Sequence, residues 1–238
     1  MKSTGIATRV WIHICVGVLS LLAPTAWAQP DTPIADIQAN PQAFLDQVVT
    51  VEAQVYVPTN YRGTVFTGYV QDTSGRGINL FGDATNNPLL FDVSNIVRVT
   101  GTVSFFFWTV EIIHIAEVTL LSTGNPPLEP QILGTGAAAS SDWEGTYIQV
   151  VAPIVAKALA GSGINYTVDD GSGPVTVRVV DALGVPQFSI GEGILAAGAG
   201  GRFQDDFQVL VGRAEDIFGG VVPVERRSWT DVKTGYRE

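Results

Sequence analysis

The stretch YVQDTSGRGINLFG at residues 69–82 has a near counterpart in YTVDDGSGPVTVRVVD at residues 166–181. Each consists of an apolar run of strand-favouring residues, a tight turn of Asp, Ser and Gly, and a second strand-like run. Gly75 and Gly77 can take the positive φ angles that a tight connection between two strands requires. Both stretches therefore predict β-hairpins, and their likeness predicts a duplicated unit.

The segments around the two hairpins follow the same order in each half of the chain. In the first half, VVTVEAQVYV alternates between apolar and polar residues, as a strand with one buried face does, and strand-like runs at 95–107 and 108–122 follow the hairpin. The second half offers GTYIQVVAPIVAKAL, GEGILAAGAGGRF and DDFQVLVGRAEDI in the matching places. We expect five strands in each copy, with short helical turns over residues 34–47 before the first.

The chain begins with the pattern of a secretory signal peptide. Lys2 and Arg9 precede an apolar run at 10–22, and Ala26 and Ala28 form a small-residue cleavage pattern. We expect a mature protein that starts at Gln29, carries no transmembrane anchor after cleavage, and is periplasmic or secreted. The predicted organisation is a signal peptide at 1–28, one domain at 33–122, a linker rich in Pro, Gly, Ala and Ser at 123–141, a second domain at 142–218 and a tail at 219–238.

The chain is acidic, and the mature protein is more so. The net charge is −10, and removal of the signal leaves 11 basic and 23 acidic residues, so that 11 − 23 = −12. Such a charge disfavours phosphate backbones and favours cationic partners. Cys15 is the one cysteine and lies in the signal, so we expect no disulfide and no thiol chemistry in the mature protein.

The duplicated pattern resembles the OB-fold, and most closely the small OB domains found singly or in tandem in exported bacterial proteins. The resemblance lies in residues 69–82, in VRVTGTV at 97–103 and in residues 166–180; the second copy departs from it in the turn DDGSGP and in ILAAGAG, which lacks the valine alternation. It implies an all-β protein of two tandem five-stranded Greek-key barrels with short helical caps. It also implies binding of an oligonucleotide, an oligosaccharide or a protein.

The residues that enzymes commonly use are scarce. The mature chain has one histidine, His114, in the apolar strand EIIHIAEV, where a packed or rim position is the ordinary role. Asp169 and Asp170 lie in a predicted turn, where aspartate side chains bond to the backbone, and with Asp205 and Asp206 they offer few ligands for a calcium ion. We expect no catalytic residues, no cofactor and no metal.

The candidate ligand site lies on the first predicted barrel. If Ile78 and Leu80 point inward, alternation places the neighbouring side chains outside, where aromatic rings could stack on the bases of a single strand. The candidate site residues are Tyr61, Arg62, Tyr69, Gln71, Arg76, Asn79 and Phe81. The alternative role of these aromatic residues is packing between the barrels or under loops.

A second aromatic cluster, SFFFW, ends in Trp108. Successive side chains of a strand face opposite sides, so at least two of Phe105, Phe106, Phe107 and Trp108 should be exposed unless another part of the protein covers them. The sequence thus predicts a non-enzymatic exported binding module whose first candidate ligand is single-stranded nucleic acid. The alternative is an adaptor that binds another envelope or secreted protein or peptide through its acidic and aromatic surfaces.

Overall fold

The computed structural model describes residues 31–63, 66–82 and 87–220. The predicted signal peptide at 1–28 and the predicted tail from residue 221 onward lie outside the described residues. Within the described residues, none of the helices combines the length and the apolar character that crossing a bilayer requires.

The first half of the chain forms a closed five-stranded barrel. Its strands are β1 (Val48–Val57), β2 (Thr67–Gln71), β3 (Gly77–Phe81), β4 (Ile96–Phe106) and β5 (Thr109–Ser122). They pair in the order β1-β2-β3-β5-β4, and β1 closes the barrel by pairing with β4. Only the β3–β5 pair is parallel. This strand order is that of the OB-fold.

Two short helices close one end of this barrel. Helix α1 (Ile34–Ala39) buries Ile34 and Ile37 completely against the barrel interior, and α2 (Pro41–Phe44) follows it directly. The barrel interior is filled by the inward half of each alternating strand, as the period of two requires. These inward residues include Val49, Val51, Val55, Val70, Ile78, Leu80, Val97, Val99, Val103, Val110 and Ile112.

The second half repeats this architecture with two added edge strands. Its elements are β6 (Gln131–Ile132), α3 (Thr135–Ala138), β7 (Tyr147–Leu159), β8 (Gly163–Val168), β9 (Val175–Val180), β10 (Gly193–Phe203), β11 (Asp206–Leu210) and β12 (Ile217–Gly219). The sheet runs β12-β10-β11-β9-β8-β7-β6, and an additional β10–β7 pairing closes the barrel. The β9–β11 pair is parallel, like its counterpart β3–β5. The predicted fold class, two tandem OB-fold barrels, is confirmed.

The segment predicted to be a linker, 123–141, contains elements of the second barrel. β6 pairs in parallel with β7, and α3 buries Thr135 and Ala138. The Thr135 hydroxyl bonds to the Asp170 carboxylate at 2.8 Å, which fixes this helix on the β8–β9 turn. The small residues of its second part allow this close packing, since a Cβ atom at Gly136 would overlap the carbonyl oxygen of Ser172. The bounds of the two domains stay predictions.

The two hairpins correspond as strands, but their side chains do not correspond position by position. Tyr69 faces out of the first barrel, whereas Tyr166, its counterpart in the sequence, lies in the core of the second. Gln71 pairs with Gly77 across the first turn, and the equivalent pair of the second hairpin encloses a turn one residue longer. Val70, beside Tyr69, is the inward side chain of the first hairpin, whereas Tyr166 itself points inward, so aligning the two tyrosines in the sequence is one residue out of step with their burial.

The packing of β10 explains why its sequence, ILAAGAG, lacks the valine alternation of the first copy. This strand pairs with β7, β11 and β12. A side chain at Gly200 would overlap the carbonyl oxygen of Trp143. The alternation of valines is absent here because neighbouring backbone occupies the space that larger side chains would need.

Candidate ligand-binding cleft between the barrels

The outer face of β2, β3 and β5 carries a row of polar and aromatic side chains. Tyr69 is paired with Asn79 across β2 and β3, and Asn79 is paired with Glu111 across β3 and β5. These residues face outward because Ile78 and Ile112, their neighbours along the chain, fill the barrel interior. This is the face that the alternation of the sequence singled out.

The second barrel, and not solvent, covers much of this face. A cluster between the barrels joins residues of both halves, and its buried members are Tyr56, Val57, Tyr61, Tyr69, Tyr147, Val180, Ala197 and Ala199. The rings of Tyr56 and Tyr147, one from each barrel, lie 4.9 Å apart between centroids. Tyr69 is only 4% exposed. Its ring therefore packs between the barrels, which was the alternative to stacking on a base.

Hydrogen bonds between side chains and backbone, together with a close approach of two backbone segments, join the barrels. The Tyr56 hydroxyl donates to the Gly145 carbonyl at 2.5 Å. The side chain of Gln71 accepts a hydrogen bond of 2.8 Å from the Tyr147 amide. A Cβ atom at Gly77 would overlap the carbonyl oxygen of Gly145, so β3 approaches the turn before β7 only because residue 77 lacks a side chain. The contact between the barrels therefore depends on hydrogen bonds and close backbone approach at particular residues, as well as on apolar burial.

Beside this contact the two outer faces separate and leave a cleft of about 540 Å³. The volume is in the range of ordinary ligand sites. Its walls come from β2, β3 and the β4–β5 hairpin on one side and from β8 to β11 on the other. The lining includes Tyr61, Arg62, Thr67, Tyr69, Asn79, Phe81, Phe106, Thr109, Glu111, Asn165, Arg178, Val180, Arg202, Phe203, Gln208 and Leu210.

Positive charge is concentrated in this cleft. Of the seven basic residues between 31 and 220, Arg62, Arg178 and Arg202 line it. Burial, and then the positive charge of Arg62, lower the pKa of Arg178. No carboxylate in the part of the chain that the structure describes forms an ion pair with Arg62 or Arg178. Two guanidinium groups therefore face the cleft without a neutralising ion pair.

Glu111 is the one acidic side chain among the described residues that line the cleft. It is 6% exposed, and burial raises its pKa to about 7. The second buried carboxylate nearby, Glu144, is held differently, because its Oε1 accepts a hydrogen bond of 2.5 Å from the Val110 amide across the domain contact. Burial raises the pKa of Glu144 as well, whereas the Val110 hydrogen bond lowers it.

Aromatic rings surround one mouth of the cleft. β4 ends at Phe106 and β5 starts at Thr109, so Phe107 and Trp108 form the turn, with φ angles of 45° and 75°. The predicted strands at 95–107 and 108–122 are therefore each one residue too long at this point, because Phe107 and Trp108 belong to the turn. Phe106, Phe107 and Trp108 are 52%, 50% and 66% exposed. The ring of Phe107 lies 5.4 Å from that of Phe203, which connects the two barrels at this edge.

Left-handed backbone is costly for bulky residues, so this turn holds its aromatic side chains at the expense of strain. The guanidinium of Arg202 lies 5.9 Å from the centre of the Trp108 ring and 5.3 Å from that of Phe207. The cluster thus contacts the second barrel and also presents rings to solvent.

The structure brings together five of the seven predicted site residues. Tyr61, Arg62, Tyr69, Asn79 and Phe81 line the cleft. The other two lie elsewhere: the side chain of Gln71 bonds to Tyr147 in the domain contact, and Arg76 donates to the Glu144 carbonyl at 3.5 Å beside it.

Sequence reasoning missed the contribution of the second barrel. Asn165, Arg178, Arg202, Phe203 and Gln208 all line the cleft. Asn165 and Arg178 are paired across β8 and β9 and face outward from that barrel. Alternation in the second copy was the signal that could have found these two residues. Nothing in the sequence indicated that the two faces meet.

The paired aspartates serve as turn residues. Asp169 accepts hydrogen bonds from the amides of Gly171 and Gly173, and Asp170 accepts from Ser172 and Thr135. Hydrogen bonding lowers the pKa of Asp170 to about 2 despite its partial burial. Among the described residues, no group of three or more His, Cys, Asp or Glu side chains is arranged to hold a metal ion.

No protein-family model matches the sequence, and no curated protein is significantly similar to it. Among solved structures, the chain is similar to the S. pombe Stn1–ten1 complex, with 19% identity over 37% of this chain and 66% of that chain, less than two thirds of its length, and a TM-score of 0.29. It is similar to the OB domain of MM0293 from Methanosarcina mazei, with 20% identity over 41% of this chain and 91% of that chain, and a TM-score of 0.35. It is also similar to a murine DNA-binding protein bound with ds DNA, with 10% identity over 75% of this chain and 98% of that chain, and a TM-score of 0.39. The fold assignment rests on the strand order of the two barrels and not on these likenesses.

Proposed function

We propose that this protein is a non-enzymatic binding module and that the cleft between its barrels holds a short segment of single-stranded nucleic acid. The observation that supports this proposal is the composition of the cleft. Three of the seven basic residues that the structure describes line it, against one of the nineteen described acidic residues. Among the described residues, the acidic charge of the chain, which argued against a polyanionic ligand, is thus represented in the cleft by Glu111 alone.

The chemistry of the lining suits a nucleotide in two ways. Guanidinium groups bind phosphate oxygens in a bidentate manner, and Arg62 and Arg178 have no competing ion pair among the described residues. Phe81 and Phe106 offer aromatic faces at the same opening, with ring centroids 6.2 Å apart and nearly parallel planes. Aromatic rings beside a cationic track are the combination that single-strand binding proteins use.

The size of the cleft favours a single strand over a duplex. Its volume of about 540 Å³ lies between two barrels that backbone contacts hold in place. The paired bases of a duplex are stacked inside the helix and do not reach into a recess between two barrels. An unpaired base can be turned into such a recess.

The test is binding of a labelled thymidine nonamer, measured by fluorescence anisotropy between 20 and 200 mM salt. With three arginines in contact, the logarithm of the association constant should fall with the logarithm of the salt concentration with a slope of about −2. Arg178→Gln should weaken binding. The matched control is Arg98→Gln, because Arg98 lies on the exposed outer side of β4, paired with Asp31 and Glu52. Absence of binding at 20 mM salt, or equal effects of the two variants, would contradict the proposal.

We also propose that the protein acts outside the cytoplasm, on the basis of the signal-like residues 1–28. Amino-terminal sequencing of the protein recovered from the periplasm or the medium should give Gln29 as the first residue. Residues 1–28 still attached in that fraction would contradict the predicted cleavage, and recovery of the protein only from the cytoplasm would contradict the location.

A protein partner is the second candidate, and the exposed rings favour it. Phe106, Phe107 and Trp108 are each at least half exposed on one hairpin. If no oligonucleotide binds, capture from envelope extract, with a variant in which Phe106 and Trp108 are changed to Ser as the control, becomes the deciding experiment.

A further inference from the structure

The carboxyl group of Glu111 opens onto the cleft. The side chain is 6% exposed, and within the described residues its carboxylate forms neither a hydrogen bond nor an ion pair. Its oxygens are not among the fully enclosed unpartnered atoms, which in the described residues are Arg76 Nε and Thr146 Oγ1, so they face the space of the cleft, where a ligand can reach them. Glu111 lines the cleft, so a bound ligand is the partner that can satisfy it.

Two buried amide side chains line the cleft with Glu111. The Nδ2 atom of Asn79 donates to the Thr67 hydroxyl at 2.9 Å and to the Gly68 carbonyl at 3.0 Å, which fixes the amide and leaves its oxygen as an acceptor. Gln208 comes from the opposite barrel, is 8% exposed, and has no side-chain hydrogen bond within the described residues. The cleft therefore offers a carboxylate and two amides to a planar, polar group.

Resting on the function proposed above, we infer that this part of the cleft receives a guanine base of the bound strand, with Glu111 accepting hydrogen bonds from its Watson–Crick edge. A carboxylate has two acceptor oxygens, and guanine presents two adjacent donors, N1–H and the N2 amino group, on that edge. Adenine and cytosine present one amino group beside a ring acceptor. Thymine presents one N–H between two carbonyl oxygens, which a carboxylate repels.

The surroundings of Glu111 match such a base in shape as well. Tyr69 and Phe81 line the same cleft on β2 and β3, and Arg62 and Arg178 are available for the flanking phosphates, beside Arg202, which pairs with Asp205 at 3.6 Å. Asn79 and Gln208 can bond to the remaining polar atoms of the ring. Recognition of the base is thus assigned to the Glu111 carboxylate, and binding of the phosphate backbone of the strand to the arginines. Base contacts and phosphate contacts have the same separate roles in other nucleic-acid complexes.

The experiment compares thymidine nonamers that carry one central guanosine, inosine or thymidine. Inosine differs from guanosine only in lacking the N2 amino group, and a single guanosine avoids association of G-rich strands. We expect the guanosine strand to bind the full-length mature protein about tenfold more tightly than the inosine strand, as the loss of one hydrogen bond to a charged, buried acceptor predicts. The thymidine strand should bind no better than the inosine strand.

Glu111→Gln should reduce the guanosine-to-inosine ratio to near one, and Glu111→Asp, which withdraws the carboxylate by one methylene, should reduce it in part. Arg178→Gln should weaken all three strands and leave the ratio unchanged. Equal binding of the three strands to the unaltered protein would overturn the guanine assignment while the proposed function stands. A preference that survives both Glu111 variants would overturn the role of Glu111. Absence of binding by every strand would overturn both proposals.

Discussion

The buried carboxyl group of Glu111 makes the stability of the protein depend on pH in a defined direction. Burial raises its pKa from 4.5 to about 7, whereas in the unfolded chain the group keeps its ordinary value. Between these two values the folded protein holds a proton that the unfolded chain has released. The free energy of unfolding therefore falls as the pH rises through this window and is constant above it. Each tenfold difference in proton affinity is worth about 1.4 kcal/mol, so the total loss is about 3 kcal/mol.

Glu111→Gln isolates this contribution, because glutamine has the size of the protonated glutamate and does not titrate. Burial also raises the pKa of Glu144 and Asp216, but both residues are present in the two proteins and cancel in the comparison. Urea unfolding at intervals from pH 4 to pH 8.5 should show nearly equal stability at the acidic end. At pH 8 the variant should be about 2 to 3 kcal/mol more stable. A stability difference that does not change with pH would refute the assignment of a raised pKa to Glu111.

Five further substitutions test the domain contact and the cleft. Gly77→Ala should lower the free energy of unfolding by about 1 to 3 kcal/mol, because its Cβ would overlap backbone of the other barrel; Gly75→Asn, in an open turn that tolerates Asn at positive φ, should change it little in the same urea titration. Tyr69→Ala should destabilise the protein by about 3 kcal/mol or more because its ring is buried, whereas Phe81→Ala should mainly weaken oligonucleotide binding, by roughly 1 to 3 kcal/mol in anisotropy titrations. Arg178→Gln should reduce the magnitude of the salt slope by about 0.7, and an unchanged slope would remove this residue from the phosphate contacts.

The barrels themselves could be predicted because a barrel interior imposes a period of two on every strand. VVTVEAQVYV and VRVTGTV show this period clearly, and the alternating apolar residues from Val49 to Val55 and from Val97 to Val103 lie inside, whereas Tyr56 and Val57 join the contact between the barrels. The outward position of Asn79 followed from the inward positions of Ile78 and Leu80. These inferences require only the alternation of apolar and polar residues along each strand, which a single sequence shows.

The cleft could be predicted only in part, because it depends on contacts that leave no periodic signal. Tyr69 and Tyr166 occupy matching places in the sequence, yet one side chain faces the other barrel and the other fills a core. With respect to burial the two strands are one residue out of step, because Val70 and Tyr166 are the inward side chains, and a comparison of apolar runs does not show this shift. The approach of the barrels relies on Gly77 and Gly145, which in the sequence are two glycines among 26.

The net charge of the chain did not predict the charge of the residues that line the cleft, and the positions of the charged residues explain why. A charge acts over a distance set by screening, about 8 Å at physiological salt, and it acts more strongly where water is excluded. Carboxylates on the outer surfaces, such as Asp205 and Glu215, are exposed and screened. Arg62 and Arg178 lie in the recess between the barrels, where each lacks an ion pair with a described carboxylate. The cleft therefore offers an anion two guanidinium groups that no described carboxylate neutralises, although the chain as a whole is acidic.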